Sequence, residues 1–476
     1  MTARSADFAA ETSLHLGSFR DPDSRVFLTE DGVFRVLSGP GFEQFQALAA
    51  TSLWRELQEE GAVVATEVAE WVDRPDLLPV EAAAVLRHER VPFVSYPYEW
   101  TFSMLQDAAL LQLDLARRAL ESELTLKDAS AYNVQWRGSR PVFIDVGSFE
   151  RLRPGEPWAG YRQFCMLFLY PLMLQGYKDL PFHPLLRGSL DGIPPHDARV
   201  VLSSMRDGFR RGVLSNVILH ARLEARYAGA AGREIKREMR SAGFGKALLD
   251  ANLAKLQKLV RSLQWKPRET AWTRYGEQNS YDDESATRKA AFVRAAAASH
   301  PGGLTWDLGC NDGSYTRIAA EFADHVVALD ADHATVDQLY RVLRGEGRTD
   351  ILPLVGSLTD PSPDLGWRGL ERSSLERRGT PNLTLCLAVV HHVVITGNVP
   401  LREFIGWLRS LDTVVVIEFP DRSDEMVQRL LSGKHDGANP DYEKATFEQA
   451  LGERFRVHRA EPVSATRTLY EATPRG

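Results

Sequence analysis

Apolar residues follow a mixed pattern in the first third of the chain. Short apolar runs at 33–37, 91–96 and 142–145 alternate with one strongly periodic segment at 104–119, whose leucines recur at helical spacing. Runs of this length predict strands, whereas the periodic segment predicts a helix. This part of the chain is therefore predicted to be α+β.

The pattern turns helical from about residue 160 to residue 300. Amphipathic stretches at 198–212, 217–227 and 247–263 predict helices. The run FCMLFLYPLML at 164–174 predicts a buried helix that breaks near Pro171, because proline has no N–H to donate. The arginine-rich pieces of this region are predicted to be solvated helix faces.

Beyond Gly303 short β-branched runs alternate with helix-like segments. This alternation predicts a parallel sheet with crossover helices. Two further runs, 455–458 and 468–472, are close enough in sequence to form an antiparallel hairpin at one edge. The runs predicted to form the parallel strands are 305–308, 325–329, 351–355, 383–387 and 413–417.

Composition narrows the class of protein. With 476 residues, 44% of them hydrophobic, the chain exceeds one core and predicts two or three domains. A net charge of -7 gives no support for a nucleic-acid partner. The three cysteines, Cys165, Cys310 and Cys386, are scattered, so neither a zinc site nor a disulfide framework is expected.

The amino-terminal residues contain no apolar leader, and the run at 164–174 is too short to span a membrane. These observations predict a soluble cytoplasmic protein without a membrane partner.

A glycine-containing loop follows the first predicted parallel strand. In open parallel sheets, ligands bind beyond the carboxyl ends of the strands, which makes the loop DLGCNDG at 307–313 the first candidate. Asn311 tolerates the left-handed region and fits a glycine slot. Asp330 follows the second strand, where a carboxylate accepts hydrogen bonds from both ribose hydroxyls. Asn311 and Ser314 fit the dinucleotide pattern poorly, and no Walker loop is present.

This loop resembles the first motif of class I S-adenosylmethionine-dependent methyltransferases, commonly D-x-G-x-G-x-G, and the resemblance covers about residues 270–476. It implies a Rossmann-like seven-stranded sheet with an antiparallel edge hairpin, and S-adenosylmethionine as cofactor. By this resemblance Gly309 and Gly313 pass close to the methionine part, with Asn311 between them. Asp307 lies near the ammonium group, and Asp330 holds the ribose.

Other cofactor contacts are implied by the same resemblance. The loop at 356–358 falls where the family contacts adenine, and Asp360 is the nearest carboxylate. Ala388, after the fourth strand, is expected beside the cofactor. Tyr275 and Tyr281 precede the sheet and are expected to form a lid over the cofactor, since aromatic faces suit a sulfonium. The alternative is that these rings dock the connector on the sheet.

Three residues are candidates for catalysis. His391 or His392, after the fourth strand, is predicted to act as a general base on an acceptor hydroxyl, because imidazole titrates near neutrality. A structural role at the start of a helix is the alternative for both. Glu418 ends the fifth strand and ranks above Asp424, which equally suits the cap of a helix starting at Glu425.

A second constellation lies in the first third of the chain. Asp128, Asn133 and Asp145 resemble the protein-kinase catalytic loop D-x-x-x-x-N and the metal-binding D-F-G motif in order and spacing. The resemblance implies a base and a Mg²⁺ site. No lysine precedes Lys127 and no G-x-G-x-x-G is present, so the strand lysine is missing unless Arg35 replaces it.

Together these features predict a kinase-like α+β domain at 1–190, a helical connector at 191–269 that is a candidate to complete it, and a methyltransferase domain at 270–476. The predicted function is methyl transfer to an oxygen of a small-molecule acceptor, a natural-product or saccharide intermediate, with the kinase-like domain in substrate binding or docking. No metal is expected for this function.

The first alternative is a bifunctional kinase and methyltransferase that uses ATP and Mg²⁺ at the Asp128, Asn133 and Asp145 constellation. The second is a non-catalytic binding module that keeps the nucleoside pocket as a remnant of its fold.

Overall fold

A computed structural model describes residues 13–14, 16–29, 32–69, 82–227, 245–267, 283–435 and 437–476. The strands are β1 Ser13–Leu14, β2 Ser24–Thr29, β3 Gly32–Leu37, β4 Thr66–Val68, β5 Ala84–His88, β6 Leu124–Leu126, β7 Val134–Arg137, β8 Arg140–Phe143, β9 Phe149–Arg151, β10 Leu304–Leu308, β11 His325–Asp330, β12 Ile351–Val355, β13 Leu383–Cys386, β14 Val414–Pro420, β15 Phe455–Pro462 and β16 Arg467–Pro474.

The α-helices are α1 Gly39–Ala49, α2 Ser52–Glu59, α3 Phe102–Glu121, α4 Tyr161–Phe164, α5 Tyr170–Lys178, α6 His183–Gly188, α7 Pro195–Val201, α8 Met205–Gly208, α9 His220–Tyr227, α10 Lys246–Ser262, α11 Asp283–Ser299, α12 Ser314–Ala319, α13 His333–Gly345, α14 Leu401–Ser410, α15 Glu425–Leu431 and α16 Lys444–Arg454. Turns of 3-10 helix lie at Leu16–Arg20, Pro97–Glu99, Ala131–Asn133, Val146–Ser148, Trp367–Gly369 and Leu375–Arg377, and π-helical segments at Cys165–Leu169, Leu214–Leu219 and His392–Thr396. Within the described ranges, no helix is both long and apolar enough to cross a bilayer.

The N-terminal region is built on an antiparallel sheet with the strand order β1-β2-β3-β5-β4. The predicted strand at 33–37 is confirmed as part of β3. The predicted strand at 91–96 is wrong, because this segment is irregular and leads into Pro97–Glu99. Pro92 and Pro97 lack backbone donors and interrupt any ladder there. The kinase-like description of this region stays a prediction.

Helix α3 is the core helix of the N-terminal region. Its first turn is capped by Thr101, whose hydroxyl accepts from the Met104 N–H at 3.1 Å. Helix α10, at the end of the predicted connector, packs along it. Gln106 donates to the carbonyls of Val260 and Leu263 at 2.7 and 2.9 Å. The described end of the connector is thus joined to the N-terminal core.

The helix around Pro171 does not break. The chain runs from α4 through the π-helical segment Cys165–Leu169 into α5, and the N–H of Tyr170 bonds to the carbonyl of Cys165, five residues back. One wide turn just before the proline accommodates a residue that cannot donate to the helix ladder. The predicted break near Pro171 is therefore wrong, although the predicted burial is right.

The C-terminal region contains a sheet of order β12-β11-β10-β13-β14-β16-β15 among the described residues. Strands β10 to β14 are parallel, and β16 is antiparallel to both β14 and β15. The predicted seven-stranded sheet with an antiparallel edge hairpin is confirmed. The chain moves outward from β10 in one direction through β11 and β12, and then returns to β13 on its other side. The crevice beside β10 is therefore the topological switch point.

One hydrophobic core runs through both regions. The rings of Trp136 and Tyr340 meet edge to face at 5.6 Å, and those of Phe93 and Trp306 at 6.2 Å. Polar bonds reinforce the contact, because Asp337 accepts from the backbone N–H of Ser103 at 2.8 Å. The two halves are therefore packed together through side chains of core type.

The segment 356–382, which joins β12 to β13, is the part of the C-terminal half that reaches furthest onto the N-terminal region. It contains only short 3-10 turns in place of a crossover helix. The guanidinium of Arg372 lies 4.0 Å above the ring of Tyr132, and the N–H of Ser373 donates to the Tyr96 hydroxyl at 2.8 Å. The N-terminal region therefore packs against this connection.

Candidate functional site

The loop after β10 has the backbone that its sequence predicts. Gly309, Asn311 and Gly313 all have left-handed φ angles, of 82°, 48° and 81°. The prediction that Asn311 occupies a glycine slot is confirmed. A side-chain carbon on Gly309 would lie 2.3 Å from Cγ2 of Val389, so this glycine is required by the close approach of the loop after β13.

Asp330 connects the first two loops of the crevice. One carboxylate oxygen accepts from the N–H of Asn311 at 3.0 Å, and the other accepts from the N–H of Asp332 at 2.9 Å. The side chain is half-buried, and burial raises the pKa of the carboxyl group. Each oxygen can accept a further hydrogen bond. The structure thus brings together Asn311 and Asp330, which the sequence predicts to share one pocket.

The side chain of Asp307 is buried beneath the loop and has almost no contact with solvent. It is 1% exposed, and its carboxylate accepts from the Thr316 hydroxyl at 2.5 Å. Burial raises the pKa of Asp307 from 3.8 to about 6. The carboxylate therefore fixes the start of α12 against the end of β10, beneath the glycine loop.

The loop after β13 carries the two candidate histidines. Ala388 adopts a left-handed φ of 54° just before them. The rings of His391 and His392 lie 4.0 Å apart. Burial lowers the pKa of His391 well below its ordinary value and that of His392 to about 4, so both rings are neutral near pH 7.

His391 has an unusual environment for a polar side chain. It is fully buried, and neither ring nitrogen has a hydrogen-bond partner among the described residues. An unpaired buried polar group is costly and in native structures commonly marks a place where a ligand or water completes the bonding. His391 follows β13, which is the neighbour of β10 at the switch point.

Glu418 lies in a buried ion pair. Its carboxylate is 2.7 Å from Nζ of Lys289, and both side chains are at most 4% exposed. Beside it, Arg467 binds Asp424 at 2.7 and 3.0 Å, and Asp424 also accepts from the N–H of Met426. The predicted cap of helix α15 by Asp424 is therefore confirmed.

Sequence reasoning missed Lys289 and Arg467. Lys289 lies on the buried face of α11, in register with Ser285, Phe292 and Val293. A lysine among apolar residues at helical spacing was a readable signal of a buried partner. Arg467 begins an edge strand, and no comparable pattern marks it.

The loop after β12 is held by the N-terminal half. The carboxylate of Asp360 accepts from both terminal nitrogens of Arg187, at 2.8 and 2.9 Å. This bidentate geometry fixes the carboxylate in the plane of the guanidinium. The predicted lid residues Tyr275 and Tyr281 lie outside the described residues.

The predicted constellation of the N-terminal region also comes together. The amide nitrogen of Asn133 is 2.9 Å from a carboxylate oxygen of Asp128 and 3.2 Å from one of Asp145. Arg35 donates to Asp145 at 2.7 Å, and its proposed replacement of the missing lysine stays a prediction. No pattern in the sequence marks Ser148, whose hydroxyl donates to Asp128 at 2.8 Å.

The carboxyl group of Asp128 is buried and lies close to the carboxyl group of Asp145. Burial, and then the charge of Asp145, raise the pKa of Asp128 from 3.8 to about 6. Across the described part of the chain, no group of three or more His, Cys, Asp or Glu side chains is arranged to hold a metal ion. Asp128, Asn133 and Asp145 provide two carboxylates and one amide.

Comparison with solved structures gives low scores. A SAM-dependent methyltransferase from Aquifex aeolicus is 15% identical with a TM-score of 0.30, over 44% of this chain and 100% of its own. The N-methyltransferase NodS from Bradyrhizobium japonicum WM9 with S-adenosyl-L-homocysteine is 10% identical with a TM-score of 0.31, over 44% of this chain and 100% of its own. The strand order described above, not these overlaps, defines the fold of the C-terminal half.

Comparison of sequences gives one informative relative. No established protein-family profile matches the chain. Nodulation protein NoeA of Rhizobium meliloti (strain 1021) is 34% identical over 457 residues, which span 95% of this chain and 94% of the relative. The similarity thus includes both halves of the chain. The chain therefore belongs to the family of nodulation protein NoeA.

Proposed function

We propose that this protein transfers the methyl group of S-adenosylmethionine to an oxygen of a small-molecule acceptor. The observation that carries the proposal is the bond between the Asp330 carboxylate and the N–H of Asn311, at the switch point of the sheet. It joins an acid suited to ribose hydroxyls to a left-handed loop that leaves the crevice open to a ligand. S-adenosylmethionine supplies an electrophilic methyl group when bound.

The residues of the crevice fit this cofactor. Asp330 retains acceptor capacity on both oxygens for a ribose with free hydroxyls. Gly309, Asn311 and Gly313 form the loop beside it, and Ala388 presents only a methyl group from the opposite side. Asp307 supports this loop from below through Thr316.

The charges beyond this loop favour an uncharged acceptor. Lys289 and Arg467 each face a carboxylate, Glu418 and Asp424, so the positive and negative charges are matched. Neutral His391, with no partner among the described residues, is placed to accept a hydrogen bond from an acceptor hydroxyl. We propose that His391 and His392 bind the acceptor as neutral rings, whereas Glu418, predicted as a base, is fully buried and already paired with Lys289.

The N-terminal region is proposed to bind or dock the acceptor, as a kinase-like domain with altered phosphate chemistry. Arg35 and Asn133 already occupy oxygens of Asp145 that a kinase would offer to Mg²⁺.

A second candidate function is favoured by one observation, the convergence of Asp128, Asn133 and Asp145 within hydrogen-bonding distance. In this alternative the protein is a bifunctional kinase and methyltransferase that binds ATP and Mg²⁺ at this centre. Here Asp128 is the base and Asn133 and Asp145 hold the metal, because carboxylate and amide oxygens are the ligands that Mg²⁺ prefers.

Calorimetry with S-adenosylhomocysteine tests the main proposal. We expect micromolar binding by the wild type, roughly a 10⁻⁶ M dissociation constant, and its loss in Asp330→Ala. Asp324→Ala is the matched control, because Asp324 accepts from Gly303 at the other end of the same strands. No binding by the folded wild type contradicts the proposal.

Calorimetry with ATP and Mg²⁺ tests the alternative. The main proposal predicts no Mg²⁺-dependent signal from the wild type. A clear signal that disappears in Asp145→Ala, while S-adenosylhomocysteine binding is retained, establishes the bifunctional enzyme instead.

A further inference from the structure

The helices between α5 and α10 expose an unusual set of apolar side chains. Met205 and Phe209 are 88% and 91% exposed, almost as much as in an extended chain. Scattered exposed apolar residues are normal, but a concentration of them marks an interaction surface. The apolar members of this surface, here called the α7–α9 patch, are Val200, Met205, Phe209, Leu214, Leu219 and Leu223.

The elements that carry the α7–α9 patch pack on the N-terminal core through their opposite face. Val213, Val217 and Ala221 are buried against the rest of the N-terminal core. Helix α7 contacts both the π-helical segment Leu214–Leu219 and α9, and α8 with Phe209 lies between α7 and that segment in the chain. The exposed residues are thus additional to the ones through which these elements pack on the core.

Arginines are interleaved with the exposed apolar residues. Between residues 199 and 223 the sequence contains five arginines and one acid, a formal charge of +4 from 5 − 1, whereas the whole chain carries -7. The acid, Asp207, is buried and bound to Lys178 at 2.5 Å. The flanking acids are Asp197 and Glu224, and Glu224 is bound to Arg162. The five arginines are Arg199, Arg206, Arg210, Arg211 and Arg222.

We propose that the α7–α9 patch binds the surface of an anionic lipid membrane. Apolar side chains flanked by arginines suit this partner, because the apolar groups enter the boundary of the acyl chains while guanidinium groups bind lipid phosphates. Attachment of this kind is peripheral and needs no spanning helix.

Charge favours this partner over a second copy of the chain. A twofold contact places the same patch against itself, so five arginines would face five arginines. The partner must therefore carry negative charge as well as an apolar layer, and an anionic bilayer has both.

This inference departs from the expectation that the protein has no membrane partner. That expectation rested on the lack of an apolar leader and of a spanning segment. Neither property can reveal a local cluster of arginines and exposed apolar residues. The arginine-rich pieces that the sequence assigns to solvated faces include Arg210 and Arg211, which adjoin the most exposed apolar residue, Phe209.

Co-sedimentation with vesicles tests the proposal with the full chain. We expect binding to vesicles of phosphatidylcholine mixed with phosphatidylglycerol, and little to pure phosphatidylcholine. Met205→Ser/Phe209→Ser, and separately Arg206→Gln/Arg211→Gln, should each weaken binding roughly tenfold or more, as about 1 kcal/mol is expected per arginine at an anionic surface. Added salt should weaken it too.

The matched control is Arg456→Gln/Val457→Ser, which removes an exposed arginine and an exposed apolar residue from strand β15. It should bind vesicles like the wild type. Thermal melting confirms that each variant is folded.

Equal binding to both vesicle types, or unchanged binding by folded patch variants, overturns the proposal. Light scattering that shows self-association lost in Met205→Ser/Phe209→Ser, without vesicle binding, assigns the patch to a second copy instead. None of these readouts depends on S-adenosylmethionine, so failure here leaves the proposed function intact.

Discussion

Glu99 and Arg378 form a bidentate ion pair between the two halves of the protein, with oxygen-to-nitrogen distances of 2.5 and 2.7 Å. Both side chains are at most 3% exposed. The guanidinium also donates to the carbonyl of Val94 and lies 4.8 Å from the ring of Tyr96. Because this pair is buried between the two halves, it can form only when the halves are packed in this one orientation.

Arg378→Ala should destabilise the whole chain. Removing one partner of a buried pair leaves the other charge uncompensated, which costs about 3–5 kcal/mol. Arg317→Ala is the control, since Arg317 binds Glu346 with similar geometry on the exposed surface, where such pairs contribute about 0–1 kcal/mol. Urea unfolding measures both changes, and equal losses in the two variants would contradict a dominant role for burial.

Gly138→Ala should lower the stability of the protein by more than the strain of its backbone angle alone, because the added carbon also clashes with the other half. An added carbon would lie 2.4 Å from the backbone of Thr349, and Gly138 has a φ of 56°. Gly155→Ala is matched in its positive φ but meets nothing within 4 Å. We expect Gly155→Ala to cost about 1 kcal/mol and Gly138→Ala to cost clearly more. Thermal melting of both variants measures the difference.

Asn311→Gly should keep the fold and the affinity for S-adenosylhomocysteine, because glycine adopts the observed φ of 48° without strain. Asn311→Val should lose about 1–2 kcal/mol of stability, since a β-branched residue is strained there. It should also weaken binding, because the N–H at this position fixes Asp330. Binding retained by Asn311→Val would show that the loop does not need this backbone conformation.

Asp128→Asn should stabilise the protein at neutral pH and not in acid. The folded pKa of Asp128, about 6, lies above its ordinary 3.8, so the folded state favours the protonated form. The stability linked to this carboxyl is complete below about pH 4 and is lost as the pH rises through about 6. The gain from Asp128→Asn should therefore appear between these values and reach about 3 kcal/mol above about pH 7. Melting curves that stay parallel to the wild type at every pH would contradict this assignment.

Lys289→Met should be more harmful than the double variant Lys289→Met/Glu418→Met. The single change removes the nearer of two cations from the buried Glu418 carboxylate and leaves only Arg467, at 3.8 Å, so we expect a cost of about 3 kcal/mol that an apolar pair reduces. Urea unfolding of the four members of this cycle gives the coupling energy. If the double variant were as unstable as Lys289→Met, the broken ion pair would not be the cause of the lost stability.

Local patterns in the sequence were sufficient for most of the C-terminal sheet. The strands there are short β-branched runs with glycine or polar residues at their ends, and this local pattern is a strong signal for strands. The left-handed Asn311 was predictable for a similar reason, because the choice of residue depends on the local backbone. The segment 91–96 is the opposite case, since Pro92 and contacts with the other half decide its course.

The long-range pairs of the site were not predictable from the sequence. Arg187 and Asp360 are 173 residues apart, and Glu99 and Arg378 are 279 apart, so no spacing rule connects them. Lys289 was partly visible, because it interrupts an apolar face, but its partner was not. Packing brings these residues together, and packing is a property of the whole fold.

The turn between β7 and β8 has a consequence for the history of the protein. Ser139 donates from both its N–H and its hydroxyl to the carbonyl of Arg348, directly before the edge strand β12, and Gly138 leaves no room for a larger residue. Recombination that joined either half to another gene would leave this edge bare and ready to pair with other chains. We therefore expect the two halves to fold as one unit, and substitutions at this boundary to be tolerated mainly in compensating pairs.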